Sequence, residues 1–113
     1  MELKKLLEET KTKAIYLIDN KGKVIDFFCP EESELSEIKD KIAAFGAVVF
    51  NVGSNFLNLF FQTELNEVKL KAKNETLLFF KYNEFLLCFV TDKETNIGLI
   101  NLMVKKQTNT IKT

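Results

Sequence analysis

The apolar residues of this 113-residue chain fall into short blocks whose spacing changes along the sequence. Leu3, Leu6 and Leu7 sit at i, i+3, i+4 and predict a short amphipathic helix. Lys13–Asp19 is β-rich and apolar in its centre. Asp19-Asn20-Lys21-Gly22 then predicts a turn, and Val24–Phe28 returns as a second strand. Cys29-Pro30 stops that ladder, because proline donates no main-chain hydrogen bond.

Ser33 suits an N-cap, and Glu34 and Glu37 place negative charge in a first helical turn. From there to Phe61 the pattern predicts one long helix. Leu35, Ile38, Ile42, Phe45, Val49, Val52, Phe56 and Leu59 form one stripe, expected to face a sheet. Ala43, Ala47, Phe50, Ser54, Leu57 and Phe61 form a second, with Gly46 and Gly53 at its edge. Asn51, Asn55, Asn58 and Ala44 make the polar remainder. A surface helix of a monomer needs only one apolar stripe. The second stripe, with its small residues, is therefore expected to pack against another helix.

Beyond a polar break, Glu67–Lys73 alternates strictly. Val68, Leu70 and Ala72 point one way and Lys69, Lys71 and Lys73 the other, the pattern of a strand with one wet face. The lysine row either protects a free edge or forms the outer face of a strand paired across a twofold axis. Thr76–Tyr82 and Phe85–Thr91, separated by Asn83-Glu84, are apolar on both faces and predict covered central strands. Ile97, Ile100 and Val104, with Leu99 and Met103, predict a last helix ending near Lys105-Lys106, and residues 107–113 a frayed tail. The order α-β-β-α-β-β-β-α indicates an α+β domain on an antiparallel sheet, one domain over residues 1–106.

Composition narrows the chemistry. Sixteen lysines balance sixteen acidic residues, which argues against a nucleic-acid binder. The sequence has neither histidine nor arginine, so imidazole catalysis and an arginine finger are both excluded. Cys29 and Cys88 stand far apart and read as small hydrophobes in a reducing compartment. No acidic cluster has metal-ligand spacing: Glu31-Glu32-Ser33-Glu34 reads as helix-start electrostatics, without the glycine and terminal glutamate of a calcium loop. No phosphate-binding glycine motif occurs. Neither cofactor nor metal is expected, and no enzymatic activity. The amino terminus lacks the apolar core of a signal peptide. The longest apolar stretch, Ile42–Phe61, is interrupted by Asn51, Ser54, Asn55 and Asn58, so no membrane insertion is expected and the cytoplasm is the expected compartment.

Two segments resemble the Roadblock family of dynein-light-chain-related proteins. Ala14–Ile25 is similar to its hydrophobic strand, Asp-x-x-Gly turn and second strand. Leu86–Ile100 is similar to its apolar strand, acidic loop and Asn-x-Gly-Leu helix start. Asn101 stands where the family often has a basic residue. The resemblance implies a five-stranded antiparallel sheet with one long helix on one face and two short helices on the other. It also implies a homodimer, or a heterodimer with a paralogue, that binds a Ras-like small GTPase. Single-domain prokaryotic members resemble the activator of the gliding-motility GTPase. On this basis the expected dimer interface is Ala43, Ala47, Phe50, Ser54 and Leu57 on the long helix with Val68, Leu70 and Ala72 on the third strand. The expected partner surface is Asp40, Ala44, Asn51 and Asn55. A light-chain or scaffold subunit without effect on GTP hydrolysis, and a small-molecule sensor, are the alternative functions.

Overall fold

The computed structural model describes residues 3–29 and 34–91, together with Ile100, Leu102 and Met103. Its elements are α1 (Leu3–Thr10), β1 (Ala14–Ile18), β2 (Val24–Phe28), α2 (Glu34–Glu37), α3 (Lys39–Phe61), β3 (Glu67–Lys71), β4 (Thr76–Tyr82) and β5 (Phe85–Thr91). The strands form one antiparallel sheet in the order β2-β1-β5-β4-β3. The twice-apolar β5 is thus central, and the lysine-bearing β3 is an edge, as their patterns require.

The side-chain period of two splits each inner strand between two cores. Ile15, Leu78, Phe80, Tyr82, Leu87 and Phe89 pack with Leu3, Leu6 and Leu7 of α1 and with Ile100. Tyr16, Ile18, Phe79, Leu86, Cys88 and Val90 pack with Ala43, Ala47 and Phe50 of α3. The sheet therefore lies between α3 on one face and α1 with the segment at Ile100 on the other. Ile100, Leu102 and Met103 are helical; the rest of the predicted last helix, and the predicted tail, lie outside the described residues.

Local chemistry sets the connections. The Asp19 carboxylate accepts from the main-chain N–H of Lys21 at 2.9 Å and of Lys23 at 2.8 Å. Chiefly the Lys23 bond holds its carboxyl below the usual carboxylate range, helped by the ammonium groups of Lys23 and Lys21. Gly22 takes φ +88°, and a Cβ there would stand 3.0 Å from the Ala44 Cα of α3. The turn thus needs glycine both for its left-handed conformation and for close approach to the long helix. The β1–β2 ladder shifts register between Leu17 and Ile18, which pair with Asp26 and Val24. Ile25 is the extra residue of that bulge.

The long helix expected from Ser33 is instead two segments, with Ser33 outside the described residues. At Ile38 the backbone leaves regular helix geometry (φ −97°, ψ 9°). The hydrogen bonds from Ile38 N to Glu34 O and from Ile42 N to Ile38 O, at 2.9 and 3.0 Å, carry the helical course across it. The helix ends at Gln62, left-handed at φ 52°, whose N–H donates to Asn58 O at 3.1 Å. β3 ends at Lys71, so Ala72 lies beyond the strand; its N–H donates to Glu75 O at 2.7 Å.

Candidate interaction surfaces

The two apolar faces of α3 lie opposite to the sequence expectation. Ala43, Gly46, Ala47 and Phe50 are buried against their own sheet. Most of the stripe expected to meet the sheet is outward: Phe45, Val52 and Leu59 are 71%, 63% and 73% exposed, whereas Leu35 and Ile42 of that stripe do pack against the sheet core. Packing density explains the reversal. Phe79 rises from β4 directly beneath the helix, and a Cβ on Gly46 would stand 2.4 Å from its Cε1 atom. Only a face of alanine and glycine lets a helix settle over that ring. Ala43, Ala47 and Phe50 are thereby withdrawn from the expected dimer interface. Ser54 and Leu57 continue the same face, half-buried, and Phe61 at the end of that stripe is exposed.

The outward stripe repeats at 38, 42, 45, 49, 52, 56 and 59, alternating steps of four and three. The buried stripe at 43, 47, 50, 54 and 57 keeps the same steps, so exposure and not spacing marks the outer stripe as the seam left for a partner. A phenylalanine side chain carries roughly 200 Å², so Phe45, Phe56 and Phe60 leave on the order of 350–400 Å² of ring exposed. With Val48, Val52 and Leu59 added, the patch exceeds the few hundred Å² that a soluble monomer usually shows. Phe56 stacks on Phe60 with centroids 5.0 Å apart. Beside β3 the seam opens into an apolar groove of about 280 Å³ lined by Phe45, Val49, Leu70, Leu77 and Phe79. Leu70 is exposed in that groove, and Val68 is half-buried on the same side of the strand.

By length and composition α3 could cross a bilayer, with mean hydropathy 1.5 over its most apolar window, although no insertion was expected from its interrupting asparagines. Only 22% of that window is buried. The buried part is the face that Phe79, Tyr16 and Cys88 cover, and insertion would strip the sheet of that core.

The expected partner residues Asp40, Ala44, Asn51 and Asn55 are all exposed on α3. The structure separates them: Ala44 lies at the Gly22 turn, whereas Asn51 and Asn55 line a polar cleft of about 440 Å³ at the other end of the helix. Near the helix start, Tyr16 donates its hydroxyl to Leu35 O at 2.6 Å, tying α2 to the sheet. Burial, reinforced by the neighbouring thiols of Cys29 and Cys88, pushes the Tyr16 pKa up. Burial also raises the thiol pKa of half-buried Cys29 and of fully buried Cys88. The Lys39 ammonium sits 5.0 Å from the Phe27 ring centroid. Among the described residues no group of three cysteine, aspartate or glutamate side chains gathers as a metal site.

No family model and no curated protein matches the sequence. Solved structures do. The chain is similar to MglB of Myxococcus xanthus, with TM-score 0.81, 18% identity, and coverage of 93% of this chain and 84% of that one. It is similar to a Roadblock/LC7 domain from Streptomyces avermitilis, with TM-score 0.80, 14% identity, and coverage of 98% and 95%. The fold is Roadblock-like. An MglB with tetrameric arrangement gives TM-score 0.77 at 22% identity, covering 94% of this chain and 78% of that one. On this Roadblock-like fold the outward seam of α3 and the groove beside β3 form one continuous apolar surface.

Proposed function

We propose that this chain is a self-associating Roadblock-type module that binds a Ras-like small GTPase and alters its nucleotide cycle without a catalytic centre of its own. The observation that carries the reading is the apolar seam of α3, open to solvent from Phe45 to Leu59 on this fold. Two copies, or one copy and a paralogue, packing seam to seam with Leu70 at the flank would cover it. The exposed area approaches the roughly 800 Å² per partner of a stable interface. The likeness to MglB supports the GTPase part, since the Roadblock resemblance implies such partners. With no arginine in the sequence, any acceleration of hydrolysis works by repositioning the GTPase's own groups. Asp40 and Ala44, exposed on the first half of α3, are the surface assigned to that partner.

Light scattering on the eluting protein tests the association. Wild type is expected to be a dimer. Val52→Glu, which puts two carboxylates into the seam, is expected to be a monomer with an unchanged circular dichroism spectrum. A monomeric wild type at micromolar concentration overturns the pairing. Affinity capture from the organism's lysate, with a non-hydrolysable GTP analogue in one arm and GDP in the other, tests the partner. A Ras-like GTPase enriched with the analogue supports a regulator. Equal capture makes the chain a scaffold, and capture of no GTPase refutes the assignment.

A further inference from the structure

The cleft at the carboxyl-terminal half of α3 belongs to neither the seam nor the Asp40 surface. Its walls come from four segments: α3, the α3–β3 loop at Glu64, the β1–β2 turn at Asn20, and the β4–β5 turn at Asn83 with its flanking strand residues. Five asparagines line it: Asn20, Asn51, Asn55, Asn58 and Asn83. None of their carboxamides is engaged in a side-chain hydrogen bond among the described residues. Phe50 and Leu86 form an apolar floor. The volume of about 440 Å³ falls within the range of ligand sites.

The asparagines on α3 form a row. At 1.5 Å per residue, Asn51 and Asn55 stand about 6 Å apart along the axis, and Asn55 and Asn58 about 4.5 Å. At 100° per residue the three fall within a sector of about 60°, well round the helix from the seam. An extended chain presents same-side peptide groups every 6.6–6.8 Å or so. A carboxamide matches a peptide group reciprocally, since each offers both an N–H and a C=O.

We propose that this cleft binds an extended polypeptide segment of a partner, its main chain held by the carboxamides of Asn51 and Asn55, whose spacing is near that repeat. Glu64 and Glu84 at the walls outnumber Lys81, so the favoured segment carries a lysine or arginine. The open, row-like shape suits a chain running through it better than a compact sugar or nucleotide. The inference does not depend on the GTPase reading, and a segment can occupy the cleft while the seam is paired.

A phage-displayed library of random dodecapeptides, panned on the full chain, tests this. Affinities of selected peptides are then measured in solution by fluorescence polarisation. The proposal expects peptides whose affinity falls by about tenfold or more on Asn51→Ala/Asn55→Ala, two lost pairings at roughly the usual hydrogen-bond worth. Both positions are solvent-exposed, and circular dichroism checks that the variant stays helical. The same peptides should bind Val52→Glu unchanged and should weaken when single main-chain amides are N-methylated, the readout specific to main-chain recognition. Three results overturn it: no enriched peptide, peptides that bind the double variant as well as wild type, or peptides that tolerate N-methylation at every position. Binding lost on Val52→Glu would place the peptide on the seam and also overturn it.

Discussion

Two glycines of α3 are expected to respond in opposite directions to the same substitution. In an exposed helix interior, Gly→Ala stabilises by about 1 kcal/mol through helix propensity. At Gly46 the added Cβ would stand 2.4 Å from Phe79 Cε1 and 2.9 Å from Cζ. Ordinary contact begins near 3.4 Å, so ring and helix must part by about an ångström. Phe79 is 1% exposed in the core between α3 and the sheet and has little room to turn. Overpacking of this kind costs about 1–3 kcal/mol. A contact as short as 2.4 Å against a buried ring belongs to the upper part of that range, about 2–3 kcal/mol, so after the propensity gain Gly46→Ala should destabilise by about 1–2 kcal/mol. For a domain near 100 residues that lowers Tm by roughly 5–15 °C. At Gly53 the Cβ would meet only Leu65 Cδ2, at 2.9 Å. That atom ends a flexible, half-exposed side chain that can step aside. Gly53→Ala should therefore raise Tm by a few degrees. Thermal unfolding followed by circular dichroism reads both, at one protein concentration because association shifts Tm. A Gly46→Ala protein as stable as wild type, or two shifts of the same sign, would refute the close approach of α3 to Phe79.

Ala47→Glu, at a position 3% exposed against the sheet, should bury an unpaired carboxylate and leave the chain unfolded by circular dichroism; a folded monomer would return Ala47 to the dimer interface. Tyr16→Phe removes the 2.6 Å bond to Leu35 O and should lower the urea midpoint by about 1 kcal/mol equivalent at unchanged slope, whereas an unshifted midpoint would mean the bond contributes nothing. Under native conditions iodoacetamide should modify half-buried Cys29 well before Cys88, because burial both shields Cys88 and suppresses its thiolate; equal labelling by mass spectrometry would contradict that burial. The Asp19 carboxyl is lowered in the fold, so its contribution is present above the unfolded value near 3.9 and is lost as pH falls through the folded value. The stability difference between wild type and Asp19→Ala should therefore shrink on acidification, and one that widened would show that the turn bonds do not need the ionised carboxylate.

A helix with two apolar faces poses a question that periodicity leaves open. Each stripe of α3 recurs every three or four residues, and each is apolar enough to enter a core. Spacing does not distinguish them, since both keep alternating steps of four and three. The stripe of Ala43, Gly46 and Ala47 is small, which suits close approach to a sheet carrying Phe79 as much as approach to another helix. Taking small residues as the mark of helix pairing, without weighing what stood beneath them, reversed the faces. The asparagine cleft was hidden for a different reason. Asn20, Asn55 and Asn83 come from three distant segments, and the sheet order together with the packing of α3 on the sheet makes them neighbours.

The succession of the five strands with a helix before the first and a helical stretch after the second, the β1–β2 turn at Asp19 and Gly22, the limits of β4 and β5, and the coverage of the inner strands on both faces were all written in the sequence. Each follows from local physics: a period of two or near 3.6, a glycine at positive φ, a proline that cannot pair. The absence of histidine and arginine likewise fixed which chemistries are closed to the chain. Which face of α3 is buried, and which surface remains for a partner, was decided by tertiary packing. That choice turns on the shape of residues distant in sequence, above all the fit of Phe79 beneath Gly46, and a hydrophobic pattern records apolarity but not shape.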